Sequence, residues 1–126
     1  MTQIAKAVSH IHSEWSYDAY WPLSKIAWFF EKIGYRLVLT NEHDRTFDNK
    51  RWEEYRNACC EASTDRILIV PGLEYSDVTN TIHVLVWGTL PFLGNNHNIE
   101  TLLRKVNELN GICVLAHPSR KNAWTT

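Results

Sequence analysis

Residues 5–11, 36–40, 67–70 and 112–116 are short apolar runs, each the length of a β-strand. Leu37, Val38 and Leu39 leave no polar face, as in a strand buried on both sides of a parallel sheet. Between these runs apolar positions recur at helical spacing. Pro22 opens a stripe of Leu23, Ile26, Ala27, Phe30 and Ile33, and Gly34 stops it. Residues 49–63 carry a weaker stripe through Trp52, Tyr55, Cys59 and Ala62. Asn98 caps a third helix with Ile99, Leu102, Leu103, Val106 and Leu109 inward and Gly111 at its end. Residues 81–87 form another β-prone run. It follows 67–70, which Pro71 and Gly72 end, so closely that an insertion or hairpin is expected rather than a further strand–helix repeat. The alternation predicts one α/β unit of parallel strands and helices, with no linker or low-complexity segment.

The polar residues that follow these strands are histidine and glutamate. Val8 and Ser9 lead to His10, Ile11 and His12; Leu39 and Thr40 lead to Asn41, Glu42 and His43. Val70, Pro71 and Gly72 lead to Leu73 and Glu74, and Leu115 and Ala116 to His117 and Pro118. Ligands and catalytic groups of α/β folds converge at the carboxyl ends of the strands, and these side chains bind zinc, manganese or iron. A lone histidine beside a strand is more often a hydrogen-bonded structural residue. His10 and His12 are a stronger signal, because residues i and i+2 of a strand share a face and can grip one ion. Four strand ends that all supply ligand types predict a metal site. Asp18 and Asp44, taken singly, read as surface turn residues; Asp18 gains weight from lying in the loop after His12. The tryptophans read as packing, with Trp15 a second candidate for a pocket wall. Arg120 is a candidate phosphate clamp or a solvated loop arginine.

Composition changes this picture little. The 126 residues suffice for one core, and a formal charge of −1 gives no overall pull toward nucleic acid or membrane. The three cysteines, Cys59, Cys60 and Cys113, are a poor disulfide framework and suggest a reducing compartment. The first residues contain no apolar signal segment and no run is long enough to span a membrane, so the chain reads as cytoplasmic.

Four segments together resemble, in order and spacing, the motifs of PHP domains, the polymerase-and-histidinol-phosphatase metalloenzymes. They are His10 to Asp18, Thr40 to Asp44, Pro71 to Ser76, and Ala116 to Pro118, and they span nearly the whole chain. The resemblance implies a distorted (βα)7 TIM-like barrel with up to three divalent ions (Zn, Mn or Fe) at its strand ends. It implies His10 and His12 on a first metal and Glu74 bridging the first and second. His83 and His117 then serve the second, and Asp18 and His43 the third. The activity implied is hydrolysis of a phosphate monoester or nucleotide phosphodiester, on a small molecule or nucleotide. An exonuclease acting on nucleic-acid ends and a non-catalytic, structural PHP domain are the rival readings.

The family's later Asp-x-His ligands have no counterpart here, and four principal strands cannot close a barrel of seven. The chain is therefore expected to be the amino-terminal portion of a PHP domain. Alone it is expected to bind metal weakly, show little or no activity and self-associate through exposed sheet edges.

Overall fold

The apolar runs form strands, and two of them continue past the residues that looked like their ends. The computed structural model describes residues 3–118. In chain order the elements are β1 (Ala7–Ile11), α1 (Leu23–Lys32), β2 (Leu37–Thr40), β3 (Glu42–His43), α2 (Asn49–Ala62), β4 (Leu68–Val70), β5 (Gly72–Ser76), β6 (His83–Trp87), α3 (Ile99–Glu108) and β7 (Ile112–Leu115). A 3-10 turn, Asp44–Thr46, follows β3. Strands β1, β2 and β4 form one parallel sheet, and β3, β5, β6 and β7 a second.

The two sheets are one surface with a crease. Leu37 pairs with Leu68 and Leu39 with Val70, then Glu42 pairs with Leu73 and His43 with Glu74. The sequence offset is the same on both sides, so the register of β2 on β4 carries on as β3 on β5. Side chains stitch the gap. Thr40 Oγ1 donates to Val70 O (2.9 Å) and accepts from Gly72 N (3.3 Å), while Asn41 Nδ2 donates to Leu73 O (3.3 Å). Gly72 is required there, because a Cβ would collide with the Thr40 carbonyl and the Trp87 indole.

Strand β6 is antiparallel to both β5 and β7, the hairpin expected of residues 81–87, so the sheet is mixed and not parallel throughout. The hairpin has a simple cause: residues 77–82 are far fewer than the dozen or so that a parallel crossover takes. Two reversals also mean that β7 runs in the direction of β5. The four principal strands therefore still point their carboxyl ends the same way. Among the described residues they form no closed barrel; β1 and β7 are the outer strands of the joined surface, and β4 and β3 end their own sheets.

The helices cover one face. Leu23, Ile26 and Ala27 of α1, Trp52, Tyr55 and Cys59 of α2, and Leu102 and Val106 of α3 pack on Val38, Ile69, Leu73, Val84 and Val86. Asp48 caps α2 by accepting from Arg51 N, and Asn98 caps α3 by accepting from Thr101 N, as its position predicts. At the end of α3 it is Asn110 that takes the left-handed conformation (φ 59°); Gly111 lies against Leu90 and Val106 instead. Ile33 and Leu109, assigned to inward faces, sit at helix ends and are about half exposed. Leu103 lies on the flank of its helix and is also partly exposed.

The opposite face carries a smaller apolar cluster of Leu85, Trp87 and Ala116, with Leu39 and Val70 packed against it. This face is concave. The rings of His10 on β1 and His117 just after β7 lie 5.1 Å apart, whereas a flat sheet would hold its first and fifth strands about 19 Å apart. The curl gathers the carboxyl ends of strands that are not neighbours.

Candidate metal centre

Glu74, in the middle of β5, has its pleat position facing into the curl, and its carboxylate is 1% exposed. Five imidazoles surround it. His10 Nε2 (2.9 Å), His117 Nε2 (3.1 Å) and His83 Nδ1 (3.6 Å) face Glu74 Oε2. His43 Nδ1 (3.2 Å) and His12 Nε2 (3.8 Å) face Oε1. His43 also reaches Asp18 Oδ2 through Nε2 (3.0 Å). Each oxygen of one carboxylate therefore meets a separate set of donors. Two groups are compact enough to hold an ion, His10 with Glu74 and His117, and His12 with Asp18 and His43. No cysteine joins either group among the described residues.

The backbone at this centre departs from regular strand geometry. The register of β1 on β2 shifts between Ser9 and Ile11, and His10 takes a left-handed conformation (φ 61°). His117 does the same at φ 50°. The bulge upsets the simple i, i+2 argument: His10 turns toward Glu74 Oε2 and His12 toward His43, on which its ring stacks at 4.4 Å. Asn41 holds the bulge, its Oδ1 accepting from His10 N at 3.2 Å. Strained residues persist only where their surroundings hold them, and they gather at functional sites.

Hydrogen bonds set which imidazole nitrogen faces the carboxylate. Asn80 Oδ1 accepts from His83 Nε2 at 2.9 Å, so the proton sits there and Nδ1 presents its lone pair. That Nδ1 is buried and has no hydrogen-bond partner among the described residues, the state expected of an atom whose partner is an ion. Ser16 Oγ gives its proton to Glu42 Oε1 (2.7 Å) and lies 3.4 Å from His12 Nδ1, which leaves His12 Nε2 toward Glu74. Burial, then the neighbouring His43, pushes the His12 pKa down and keeps its ring neutral. For Glu74, burial pushes upward. The hydrogen bond from His10, with His83 close beside it, outweighs burial, and the carboxyl is held well below the usual range. Ionised carboxylate and neutral imidazole are the forms that bind metal.

Glu42 has a different role, which the sequence reading missed. It is fully buried behind the centre, accepting from Ser13 N (2.8 Å), Ser13 Oγ (2.5 Å), Ser16 Oγ (2.7 Å) and the Tyr55 hydroxyl (2.8 Å). Ser16 Oγ accepts in turn from His43 N at 3.0 Å. This network ties the loop that carries Asp18 to the strand end that carries His43.

The structure thus gathers His10, His12, His43, His83 and His117 around the Glu74 carboxylate, with Asp18 on the outer nitrogen of His43. His12 groups with Asp18 and His43 and also lies edge-on to His10, their rings 5.1 Å apart. Arg120 is outside the described residues. Trp15 does not line the cavity beside the centre; it packs on Tyr55 and Phe47, under the Arg51 guanidinium. His97 stays apart, with Nε2 2.6 Å from Gly94 O and its ring against Tyr75.

Beside the centre a cavity of about 640 Å³ opens between His43 and His83 and the loops at 76–80 and 95–96. No family model and no curated protein matches the chain. No helix among the described residues is long and apolar enough to cross a membrane.

Proposed function

We propose that this chain is the metal-binding part of a phosphoesterase of PHP type, with Glu74 bridging two divalent ions. The observation that carries the reading is the division of imidazoles about the Glu74 carboxylate, three toward Oε2 and two toward Oε1, with Asp18 on the far nitrogen of His43. A structural carboxylate needs one or two partners; five histidines about one ionised group are a ligand set. The donors are imidazole and carboxylate without thiolate, which suits Zn, Mn or Fe. The curled α/β sheet gathers His10, His12, His43 and His117 at or just past the carboxyl ends of its strands, with Glu74 in mid-strand and His83 at the start of the reversed β6, which is consistent with part of a TIM-like barrel.

Divalent ions held here supply Lewis acidity that acidifies water and offsets the negative charge of phosphoryl transfer. The protein's own share is positional. Glu74 stays ionised and fixes the spacing of the two donor groups. Asn80 and Ser16 fix the tautomers of His83 and His12. Glu42 and Tyr55 hold the Asp18 loop over the sheet end. The adjoining cavity has the size of a small-molecule site, which favours a phosphorylated small molecule or nucleotide as substrate.

The test is elemental analysis of the purified protein with hydrolysis of an aryl phosphate and a dinucleotide, for wild type and Glu74→Ala. Bound metal with weak, metal-dependent hydrolysis of the aryl phosphate, both lost in the variant, is the expected result; the low rate is in keeping with the incomplete ligand set that the resemblance implies. Metal without hydrolysis of either ester would leave a structural metal site, and cleavage of the dinucleotide alone would favour the exonuclease reading.

A further inference from the structure

Arg45 lies at the rim of the cavity beside the centre, one residue past Asp44 in the turn that follows His43. Its side chain makes no hydrogen bond or ion pair among the described residues; its guanidinium sits 5.0 Å from the centroid of the Tyr17 ring. The Tyr17 ring in turn lies 4.9 Å from that of His43, which stacks on His12 at 4.4 Å. His12, His43, Tyr17 and Arg45 thus form a chain of ring contacts leading away from the Oε1 side of Glu74. The steps of 4.9 and 5.0 Å, laid end to end, keep the guanidinium within about 9.9 Å of the His43 ring.

Three acidic groups belong to this region and none takes this cation. Asp44 is buried and receives Ser76 N, and Asp18 pairs with His43. Asp77 also lines the cavity, but its oxygens are occupied by Thr79 Oγ1, Thr81 N and Ile82 N. Arg45 therefore stands close to the metal ligands yet outside their shell, held by an aromatic face with its N–H fork unspent. Around the same cavity Ser76 Oγ and the Asn96 side chain make no side-chain hydrogen bond among the described residues. The lining is polar, and its unpaired cation points to an acidic ligand.

We infer that Arg45 clamps a second anionic group of the substrate, beyond the phosphoryl group held at the metal centre. The substrate class is then a phosphate ester whose alcohol part is itself acidic and small enough for this cavity. This rests on the phosphoesterase reading above. A planar guanidinium grips a carboxylate or phosphate through two parallel N–H bonds, and Tyr17 fixes its orientation in advance. Arg45 is exposed, so its replacement removes a cation without opening the core.

The test is calorimetric binding of non-hydrolysable probes to the manganese-loaded protein. Methylphosphonate carries one anionic group; 3-phosphonopropionate and 4-phosphonobutyrate carry a carboxylate at increasing reach. Wild type is expected to bind at least one of the carboxylated probes more tightly than methylphosphonate. Arg45→Ala should lose roughly tenfold on that probe, the scale of a charge-assisted contact. Its methylphosphonate affinity and metal content should stay unchanged. Arg45→Lys should keep part of the preference. No preference in wild type, or the same preference in Arg45→Ala, would overturn the role of Arg45 while leaving the metal site intact. An equal loss on all three probes would also overturn it, by placing the cation on the phosphoryl group itself. If wild type binds none of the probes although loaded with metal, the phosphoesterase reading falls and this inference with it.

Discussion

At the scale of single residues the centre depends on which imidazole nitrogen is left without a proton. His83 is the clearest case, because Asn80 takes the Nε2 proton and turns a buried Nδ1 toward Glu74. Loss of such an outer partner costs roughly 10–100-fold in metal affinity. Asn80→Ala is therefore expected to weaken zinc binding on that scale in a competition titration with a chelating dye, whereas Asn80→Asp, which keeps the acceptor oxygen, should recover much of it. Unchanged affinity in Asn80→Ala would remove His83 from the ligand set. Most of these candidate ligands were legible in the sequence, because four strand ends that all carry histidine or glutamate point to one cluster. Glu42 was not recognised, although a signal existed. Successive strand residues face opposite ways, so His43 toward the centre puts Glu42 on the helix side, where it needs the hydroxyls of Ser13, Ser16 and Tyr55. His12 was assigned with His10 because the pattern showed a regular strand; the bulge at His10 depends on Asn41, thirty-one positions away.

At the scale of elements the helices were read correctly because each buries one stripe, and their ends follow caps at Asp48 and Asn98 that act within a few residues. The crease between β2 and β3 and between β4 and β5 was not legible. Pro71 and Gly72 read as terminators, and only the register across the pair shows that the strands continue. The same packing of α2 on this sheet fixes the chemistry of Cys59 and Tyr55, both fully buried. Burial pushes the Cys59 thiol up to about 12 and the Tyr55 phenol well above its ordinary 10. For an acid whose folded pKa is raised, the stabilisation is complete below its unfolded value and is lost as pH rises toward the folded one. Stability is therefore expected to fall as pH climbs above 9, the ordinary thiol value. In Cys59→Ala the onset should move up toward the phenol's range, as read by urea midpoints against pH. At neutral pH a maleimide should label the exposed Cys60 and Cys113 and spare Cys59 until the protein unfolds. Labelling of Cys59 in the folded protein would contradict the packing of α2.

At the scale of the whole molecule the curl is what makes a site from separate strands, and it leaves an apolar surface. By register Ile112 lies opposite Trp87 and Val114 opposite Leu85, on the concave face, and Leu68 shares that face with Val70. All three are half exposed or more. Edge strands with apolar side chains favour pairing with another copy. Sedimentation is therefore expected to show concentration-dependent association that Val114→Lys reduces, and a wild-type protein that stays monomeric at high concentration would count against it. The strand-end arithmetic foresaw this openness; the reversed strand β6 came from the short 77–82 connection. The central claim, that one carboxylate divides its histidines between two ions, is tested most directly by metal stoichiometry. Equilibrium dialysis against manganese or zinc, followed by elemental analysis, should approach two ions per chain at saturation for wild type. Glu74→Gln, which keeps the shape and removes the charge, should hold far less at the same free metal while its circular dichroism is unchanged. A wild-type protein that takes up no metal, or a Glu74→Gln protein that still binds both ions, would contradict the account.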